Sequence, residues 1–359
     1  MEALPRPLLE ADAALHELFV RVAFSRYLNP TNAAEARAVF RSGAAHEPPF
    51  AYLPAVWADD ELRFLDTLAP PLDHPLGQLV ATSIERARLV IYALRDRTPS
   101  AFHRLAEAAS WYPTDADLAV ARSEAFETDE AAFVMDARAL KIALELALED
   151  RGLHGWVVEL DGVMSARVLV DGPKKLLRVN TRARFRERDV RKLVAHEVEV
   201  HALRSAYGAR QPLKLFATGT PDSLLTEEGL ALVAEQKAGV ISPGTGWRQG
   251  VVVQAVAWAR ELGFRELYER IGREAGYGLA WGIAQRLKRG LAEPGLPGVY
   301  AKDVVYYLGQ RQVRAWLEAG HPVEHLFVGK VGIDDPVQDW LDAGWLQLQP
   351  VPGLFDRVA

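Results

Sequence analysis

The sequence predicts an α+β fold that is mostly helical, with one short β-meander and a helical N-terminal region. Two observations lead to this fold class. Apolar residues recur at helical spacing through most of residues 8–151 and again from residue 211 onward. Between these stretches lie three short runs that are rich in β-branched residues and separated by Asp-Gly pairs. The 359 residues are enough for one large domain or two.

Residues 1–125 are predicted to form successive helices with no catalytic residue among them. The first predicted helix ends before Asn29 and Pro30, and Asn32 can cap the next one. The helices predicted ahead of the strands cover residues 8–28, 33–41, 59–68, 75–96, 99–110, 115–122 and 129–151. Single histidines among apolar or loop residues favour structural or exposed positions over metal ligation, and here they are His16, His46, His74 and His103. We interpret this region as a helical platform or lid.

Three strands are predicted over residues 156–160, 166–170 and 175–180. Asp-Gly pairs at residues 161–162 and 171–172 separate them, and such pairs favour tight hairpin turns. Tight turns between consecutive strands predict a meander, whose last strand leads into a long helix. A sheet edge beside a metal-binding helix is a place where an extended peptide substrate can bind.

The composition excludes several classes of protein and of site. Without cysteine the chain has no disulfide, no thiolate nucleophile and no cysteine-based metal site, so a metal must be bound by histidine and carboxylate. The formal net charge of −6 argues against nucleic acid or an anionic membrane as the main partner. We find no signal pattern and no apolar run of the ~18 residues that a membrane span needs, so we expect a cytoplasmic protein.

The helix predicted over residues 190–204 contains the residues that point most strongly to chemistry. Its inward-facing positions follow helical spacing, and two of them, Glu197 and His201, are ionisable. Burying a carboxylate and an imidazole is costly unless a partner compensates, and a metal ion compensates both. His196 and Glu197 are similar to the start of the zinc-peptidase motif, in which two histidines bind zinc and the glutamate is the general base. Gly208 is predicted to end the helix with a left-handed cap.

The histidine spacing differs from that motif, because His201 follows His196 by five residues rather than four. Five steps along an α-helix separate two side chains by roughly 140° around the axis. Both imidazoles can reach one ion only if the helix contains a π-type turn or is locally widened. The alternative is a chance pattern on a polar surface helix.

A third ligand is predicted in residues 224–233, where Glu228 shares a helical face with two leucines. Two histidines and one carboxylate leave zinc an open position for water. Glu227 is rotated by about 100° from that face. The alternative interpretation of both glutamates is a favourable interaction with the helix dipole near the helix start. Ser223 or Thr226 is the expected N-cap of this helix.

Several motifs of the chain resemble those of the microtubule-associated tyrosine carboxypeptidases and their bacterial relatives, the QEGLA-motif proteins. The shared pattern is H-E-x-x-x-H-x-x-R, then Q-P-L, then Q/E-E-G-L-A, found here at residues 196–204, 211–213 and 227–231. Flanking segments also look similar, and they lie at residues 29–32, 50–52, 180–185, 286–290, 302–306 and 326–330. The resemblance covers nearly the whole chain.

The resemblance implies a zinc metallopeptidase of the gluzincin kind that removes a C-terminal residue, with Zn²⁺ as its cofactor. Carried over by position, His196, His201 and Glu228 would bind zinc. Glu197 would be the general base. The resemblance also implies that residues 126–359 form the catalytic domain, which we expect to pack with the N-terminal region as one unit.

Candidate substrate-binding residues follow from the same resemblance. A carboxypeptidase needs cations for the terminal carboxylate of its substrate, and arginine is the best bidentate donor. The cationic residues in family-like motifs are Arg182, Arg286, Arg289 and Lys302. Tyr306 could stabilise the oxyanion, whereas a surface ion pair or a core phenol is the alternative role for each of these residues. Glu199 and Val200 replace a Gly-Thr pair that is usual in the relatives, which affects the shape of the pocket.

Two rival functions stay open at this point. A non-catalytic helical interaction or regulatory protein would have a structural or vestigial metal site, but Glu197 is intact and a structural zinc prefers four protein ligands. An aminopeptidase or endopeptidase could use the same centre, although an aminopeptidase would need acidic residues to bind the substrate amine. The expected partner is the C-terminus of a peptide or protein. The residue removed and the oligomeric state are not indicated.

Overall fold

The computed structural model describes residues 4–126, 133–162, 164 and 166–355. The chain divides into two compact units. The first unit comprises Met1–His16, Glu127–Thr245 and Leu308–Ala359, and the second comprises Glu17–Phe126 and Gly246–Tyr307. Neither unit is one continuous segment, because residues 246–307 group with the N-terminal helices. The functional domain expected over residues 126–359 stays a prediction.

Helices make up most of the second unit. They are α2 (Phe24–Leu28), α3 (Ala33–Arg41), α4 (Ala58–Asp66), α5 (Pro75–Asp96), α6 (Pro99–Ala108), α7 (Asp115–Ser123), α14 (Phe264–Ala275) and α15 (Tyr277–Lys288). Three further helices contain residues of both units: α1 (Arg6–Arg21), α13 (Thr245–Ala259) and α16 (Val305–Glu318). The helices predicted within residues 8–122 are confirmed to within a few residues, except that the first is interrupted between α1 and α2. Asn32 is the N-cap residue of α3, as predicted, but its side chain makes no capping hydrogen bond, because it donates to the Pro49 carbonyl and accepts from the Ala51 N–H instead.

Contacts between distant parts of the sequence hold the second unit together. Phe40 of α3 lies edge-to-face against Phe264 of α14, with ring centroids 5.2 Å apart. Lys288, at the end of α15, is fully buried and donates to the carbonyl oxygens of Leu262 and Leu296 at 2.5 and 2.8 Å. Burial lowers the pKa of Lys288 to about 7. These contacts explain why residues 246–307 group with the N-terminal helices.

The first unit contains a three-stranded sheet of β1 (Val157–Asp161), β2 (Val168–Asp171) and β3 (Leu176–Asn180). The strand order is β1-β3-β2, with β1 parallel and β2 antiparallel to β3. The three strands are confirmed, but the predicted meander is wrong, because β2 and β3 form a hairpin whereas β1 and β2 do not pair. β3 lies in the centre and is the most buried strand, with Leu176, Leu177 and Val179 in the core.

One long helical segment runs through α9 (Glu187–Leu193), a π-helix (Val194–Ala202) and α10 (Leu203–Gly208) without interruption. The helix predicted over residues 190–204 is therefore confirmed, and its central part has the i→i+5 hydrogen bonding of a π-helix. The predicted left-handed cap at Gly208 is wrong, since Gly208 is helical and Ala209 follows it with right-handed backbone angles. A Cβ on Gly208 would lie 1.9 Å from the Phe216 carbonyl oxygen, so this close backbone contact requires glycine.

Helix α12 (Ser223–Lys237) packs along the π-helix inside the core of the first unit. Leu144 of α8 (Ala137–Asp150), Val198 of the π-helix and Leu230 of α12 are fully buried in this core. Their shared burial brings the polar residues of the π-helix and α12 to one place. The remaining elements are α11 (Leu215–Thr218), α17 (Val337–Asp342) and 3₁₀ segments at Ala301–Val304, Val323–Phe327 and Gly353–Phe355. Within the described ranges, no helix is long and apolar enough to cross a membrane.

Candidate metal centre

The π-helix brings the two histidines of the H-E-x-x-x-H segment together. The five-residue spacing requires a π-type turn, and the structure contains one over this segment. The rings of His196 and His201 lie edge-to-face with their centroids 4.8 Å apart. Each ring is largely buried, so these imidazoles lie in a partly dehydrated site rather than on a polar surface helix.

Buried carboxylates of α12 hold the Nδ1 atoms of both rings. His196 Nδ1 is 2.8 Å from Glu235 Oε1, and His201 Nδ1 is 2.7 Å from Glu227 Oε1. A neutral imidazole that donates a hydrogen bond from Nδ1 to a carboxylate has an unprotonated Nε2, whose lone pair can bind a metal. Metal-bound histidines are usually oriented in this way, by a hydrogen bond from the ring nitrogen that does not bind the metal.

The Nε2 atoms of both histidines face the same carboxylate oxygen. Glu228 Oε2 is 3.7 Å from Nε2 of His196 and 3.7 Å from Nε2 of His201. In a tetrahedral zinc site with bonds near 2.1 Å, neighbouring ligand atoms are about 3.4 Å apart. The spacing thus departs from that of a tetrahedral site by a few tenths of an ångström. Two imidazoles and one carboxylate fit zinc and leave a fourth position open.

Glu197 belongs to the same cluster. Ligand atoms of His196, Glu197 and His201 all lie within 4.8 Å of one another. Glu197 and Glu228 are thus two carboxylates that could approach one ion. Glu228 stays the predicted third ligand, because a single oxygen of this residue is equally distant from both Nε2 atoms. No described residue donates a hydrogen bond to the Glu197 carboxylate, which therefore has the capacity to accept a proton.

Strong cationic partners keep Glu227 ionised. Burial alone would raise the pKa of Glu227, but Lys330, Arg204 and the hydrogen bond from His201 outweigh it and hold the pKa far below its ordinary value. Lys330 Nζ is 2.9 Å from Glu227 Oε1, and Arg204 Nη1 donates to Glu227 Oε2. The fully buried Arg204 also donates to the carbonyl oxygens of residues 326, 329 and 331, which fixes its position.

The second carboxylate, Glu235, has a comparable partner. Lys192 Nζ lies 3.2 Å from Glu235 Oε2, and Glu235 is almost completely buried. Burial would lower the pKa of His196, but the neighbouring carboxylates of Glu228 and Glu235 outweigh it and raise this pKa well above the ordinary value. The site therefore attracts positive charge, which a proton or a metal ion can supply.

The predicted N-caps of α12 are wrong. The N-cap is Asp222, and its side chain makes no capping hydrogen bond. Ser223 Oγ donates to the Thr220 carbonyl, and Thr226 Oγ1 accepts from the Ile333 N–H. Both hydroxyls thus bind backbone groups outside the helix start, an arrangement that the local sequence does not indicate.

The predicted substrate-binding residues lie in different units. Arg182 belongs to the first unit, is exposed, and has no described residue paired with its guanidinium. Arg286, Arg289, Lys302 and Tyr306 belong to the second unit. Arg286 Nε and Nη2 bind Asp303 at 2.5 and 2.9 Å, and Arg289 Nη2 binds it at 3.2 Å. Burial raises the pKa of Asp303, but Arg286 and Arg289 outweigh it and lower the pKa below its ordinary value.

Tyr306 and Lys302 complete the group in the second unit. Tyr306 is half-buried and forms a hydrogen bond with Arg286. Lys302 is half-buried as well. The ion pair that was the alternative role for Arg286 and Arg289 is therefore present, while their role toward a substrate stays a prediction.

Glu199 and Val200 are both buried on the π-helix. Val200 is in the apolar core of the first unit. Arg151, which follows α8, donates from Nε to Glu199 Oε1 at 2.7 Å, so Glu199 ties the π-helix to α8. Glu199 and Val200 thus have structural contacts here, and their effect on the shape of the pocket stays a prediction.

Sequence reasoning missed four functional candidates: Arg204, Glu227, Glu235 and Lys330. Two signals could have found them. Glu235 follows Glu228 by seven residues, which places both on one face of α12. Arg204 and Lys330 occur in the family-like motifs, where a cation without an assigned role is a candidate partner for a buried glutamate.

Comparison with known proteins gives a consistent result. The sequence profile of the family "Microtubule-associated tyrosine carboxypeptidase" matches residues 71–356. The chain is 27% identical over 195 residues to microtubule-associated tyrosine carboxypeptidase 1 of Mus musculus, and 29% identical over 173 residues to that of Homo sapiens. These alignments cover 51% and 45% of this chain and 40% and 36% of the relatives. The matched part is thus about two fifths of the length of these relatives.

Proposed function

Because the chain belongs to the microtubule-associated tyrosine carboxypeptidase family, we propose that it is a zinc-dependent metallocarboxypeptidase with a gluzincin-like core. One observation supports this more than any other. The Nε2 atoms of His196 and His201 face one oxygen of Glu228, while buried carboxylates hold both Nδ1 atoms. A structural zinc would prefer four protein ligands, whereas three ligands leave a position for water and substrate.

In this proposal His196, His201 and Glu228 hold the metal. When bound there, zinc would polarise the scissile carbonyl and lower the pKa of the attacking water. Glu227 and Glu235 keep a proton on each Nδ1, so both Nε2 atoms stay directed at the metal position. Arg204 and Lys330 keep Glu227 ionised, which maintains that orientation.

Glu197 is proposed as the general base. Its carboxylate accepts a proton from the attacking water and passes it to the nitrogen of the leaving amino acid. Glu197 is suited to this because it lies beside the ligand atoms of both histidines and has no hydrogen-bond donor among the described residues. Tyr306 is proposed as a hydrogen-bond donor to the developing oxyanion, which requires that its hydroxyl reaches the substrate.

The substrate class follows from the cationic residues and the family. We propose that the site binds the free C-terminal carboxylate of a peptide or protein. Arg182 is the first candidate, because its guanidinium is exposed and no described residue pairs with it. Arg286 and Arg289 would have to share their charge between Asp303 and the substrate. Lys302 is the fourth candidate.

Amidation of the substrate's C-terminus is expected to reduce kcat/KM by at least about tenfold, whereas acetylation of its N-terminus should have almost no effect. A guanidinium that loses its carboxylate partner is left unpaired, and each 1.4 kcal/mol lost corresponds to a factor of about ten. The measurement is mass spectrometry of a peptide library in four forms, with each terminus free or blocked. Internal cleavage that ignores both blocks would indicate an endopeptidase. Trimming that acetylation stops would indicate an aminopeptidase.

Replacing Glu235 by alanine is expected to weaken zinc binding by roughly tenfold to a hundredfold, because His196 loses the group that orients its ring. Glu235→Gln should restore most of the affinity, since its amide oxygen can still accept from Nδ1. The measurement is a zinc competition titration against a chelator, with the thermal midpoint recorded for both variants. Equal zinc affinity in the wild type and Glu235→Ala would show that Glu235 does not orient His196.

A further inference from the structure

The first unit contains a cavity of about 350 Å³ whose lining differs from that of the metal centre. Its walls come from His16 of α1, residues 152–154 and 156, the turn between β2 and β3, α10 and the segment that follows α10. The volume is at the lower end of the range that holds small-molecule ligands. None of the zinc-site residues named above lines it.

The rim of this cavity is cationic. Lys175, Arg210 and Lys214 line it, and all three side chains are exposed. His16 and His154 line it as well. Among the described residues that line the cavity, none is acidic. Three positive charges around one small cavity repel each other. The chain has a net charge of −6, so a general excess of basic residues does not account for this cationic group.

Part of the cavity wall is apolar. Leu153 and Ala217 are buried in its wall, and the half-buried indole of Trp156 adds an aromatic surface. The Ser205 hydroxyl is already used, because it donates to the Ala217 carbonyl at 3.1 Å. This apolar part of the wall suits a compact organic group attached to the anion.

Backbone contacts hold the rim in place. A Cβ on Gly172 would lie 2.0 Å from Ser205 Oγ, so the β2–β3 turn is pressed against α10. Lys175 has the left-handed backbone angle φ of +50°, which is unusual for a residue with a side chain. The buried Asp12 accepts from the backbone N–H groups of Lys214 and Leu215, at 2.5 and 2.9 Å. The cations are therefore attached to an ordered frame, which reduces the entropy lost when a ligand binds.

We propose that this cavity binds a small organic dianion, namely a phosphate monoester with a compact apolar or aromatic body. A phosphate group has about two negative charges and three acceptor oxygens, which matches the three cations better than a single carboxylate does. The apolar body lies against Leu153 and Trp156.

The test is isothermal titration calorimetry of the zinc-loaded wild-type protein with phenyl phosphate, inorganic phosphate and benzyl alcohol. Phenyl phosphate should bind most tightly, and benzyl alcohol should not bind. Replacing Lys175, Arg210 and Lys214 together by glutamine should weaken phenyl phosphate binding by at least tenfold. The matched control replaces Arg138, Lys174 and Lys237 by glutamine, since these are exposed cations of the same unit outside the cavity. It should bind phenyl phosphate as the wild type does.

Several outcomes would overturn the proposal. One is equal weakening in both triple variants, because binding would then depend on net charge alone. Absence of binding to the wild type is another. If inorganic phosphate bound as tightly as phenyl phosphate, the organic group would make no contribution to binding, contrary to the proposal. Binding that is lost in His201→Ala but kept in the cavity variant would place the anion at the metal centre. Thermal midpoints confirm that each variant is folded.

Discussion

Replacing Glu197 by glutamine is expected to reduce hydrolysis of a free C-terminal peptide by a factor of roughly 10² or more, because a positioned general base is lost. The zinc content and the thermal midpoint should hardly change, since the amide has nearly the same shape as the carboxylate and Glu197 is not a proposed ligand. The measurements are kcat/KM with one peptide, elemental analysis for zinc, and thermal unfolding of the same preparation.

Glu199→Gln is the matched control for this prediction. Glu199 lies on the same π-helix and is also buried, but it pairs with Arg151 instead of facing the cluster. The control variant should lose some stability and keep most of its activity. Full activity in Glu197→Gln would refute the general-base role. Loss of zinc from Glu197→Gln would show that Glu197 is a ligand, and the assignment of Glu228 would then have to be revised.

The local parts of the fold could be predicted because they depend on short-range patterns. Helical spacing and Pro or Asn at the boundaries were enough for α3 and α5, and β-branched runs were enough for the three strands. The strand order was not predictable from the Asp-Gly pairs, because a turn signal does not show which strand will pair. The packing of the whole unit decides this, and β3, whose Leu176, Leu177 and Val179 lie in the core, takes the centre.

The domain organisation depends on contacts that the sequence does not display. Phe40 and Phe264 are separated by more than two hundred residues, yet their rings meet in the second unit. Apolar periodicity shows that each helix has a buried face but not which partner covers it. Gly208 is a similar case, since a glycine at a helix end indicates a cap unless a distant carbonyl such as that of Phe216 comes close.

The candidate site was predictable only where the spacing of residues along a helix determines the positions of their side chains. The five-residue spacing of His196 and His201 permits a shared metal only where the helix contains a π-type turn or is locally widened, and the structure has a π-helix there. The carboxylates that bind the Nδ1 atoms of the two rings, Glu227 and Glu235, could not be predicted from this spacing. Glu227 looked like a favourable first-turn residue, whereas the packing of α12 on the π-helix directs it to His201 Nδ1. Such a contact between side chains of two helices can be identified only when the packing of the two helices is known.

The geometry of the three proposed ligands leads to the prediction on metal content. Glu228 Oε2 is equally distant from both Nε2 atoms, so removal of either histidine leaves two of three protein ligands. Two ligands are fewer than the three that catalytic zinc sites keep. We therefore expect a severe loss of zinc affinity when either histidine is removed. Because His201 also binds Glu227, its removal leaves that carboxylate with Arg204 and Lys330 as partners, which are enough to keep it paired.

The wild type is expected to contain about one zinc per chain, and His201→Ala is expected to contain almost none and to have no measurable hydrolysis. His154→Ala is the matched control, because this histidine is exposed in the same unit and is not a proposed ligand. It should keep the wild-type zinc content. The measurement is elemental analysis of purified protein after dialysis against trace-metal-free buffer, with thermal unfolding to confirm that both variants are folded. Equal zinc in the wild type and His201→Ala would show that His201 is not a ligand and would overturn the proposed site, whether or not hydrolysis is kept.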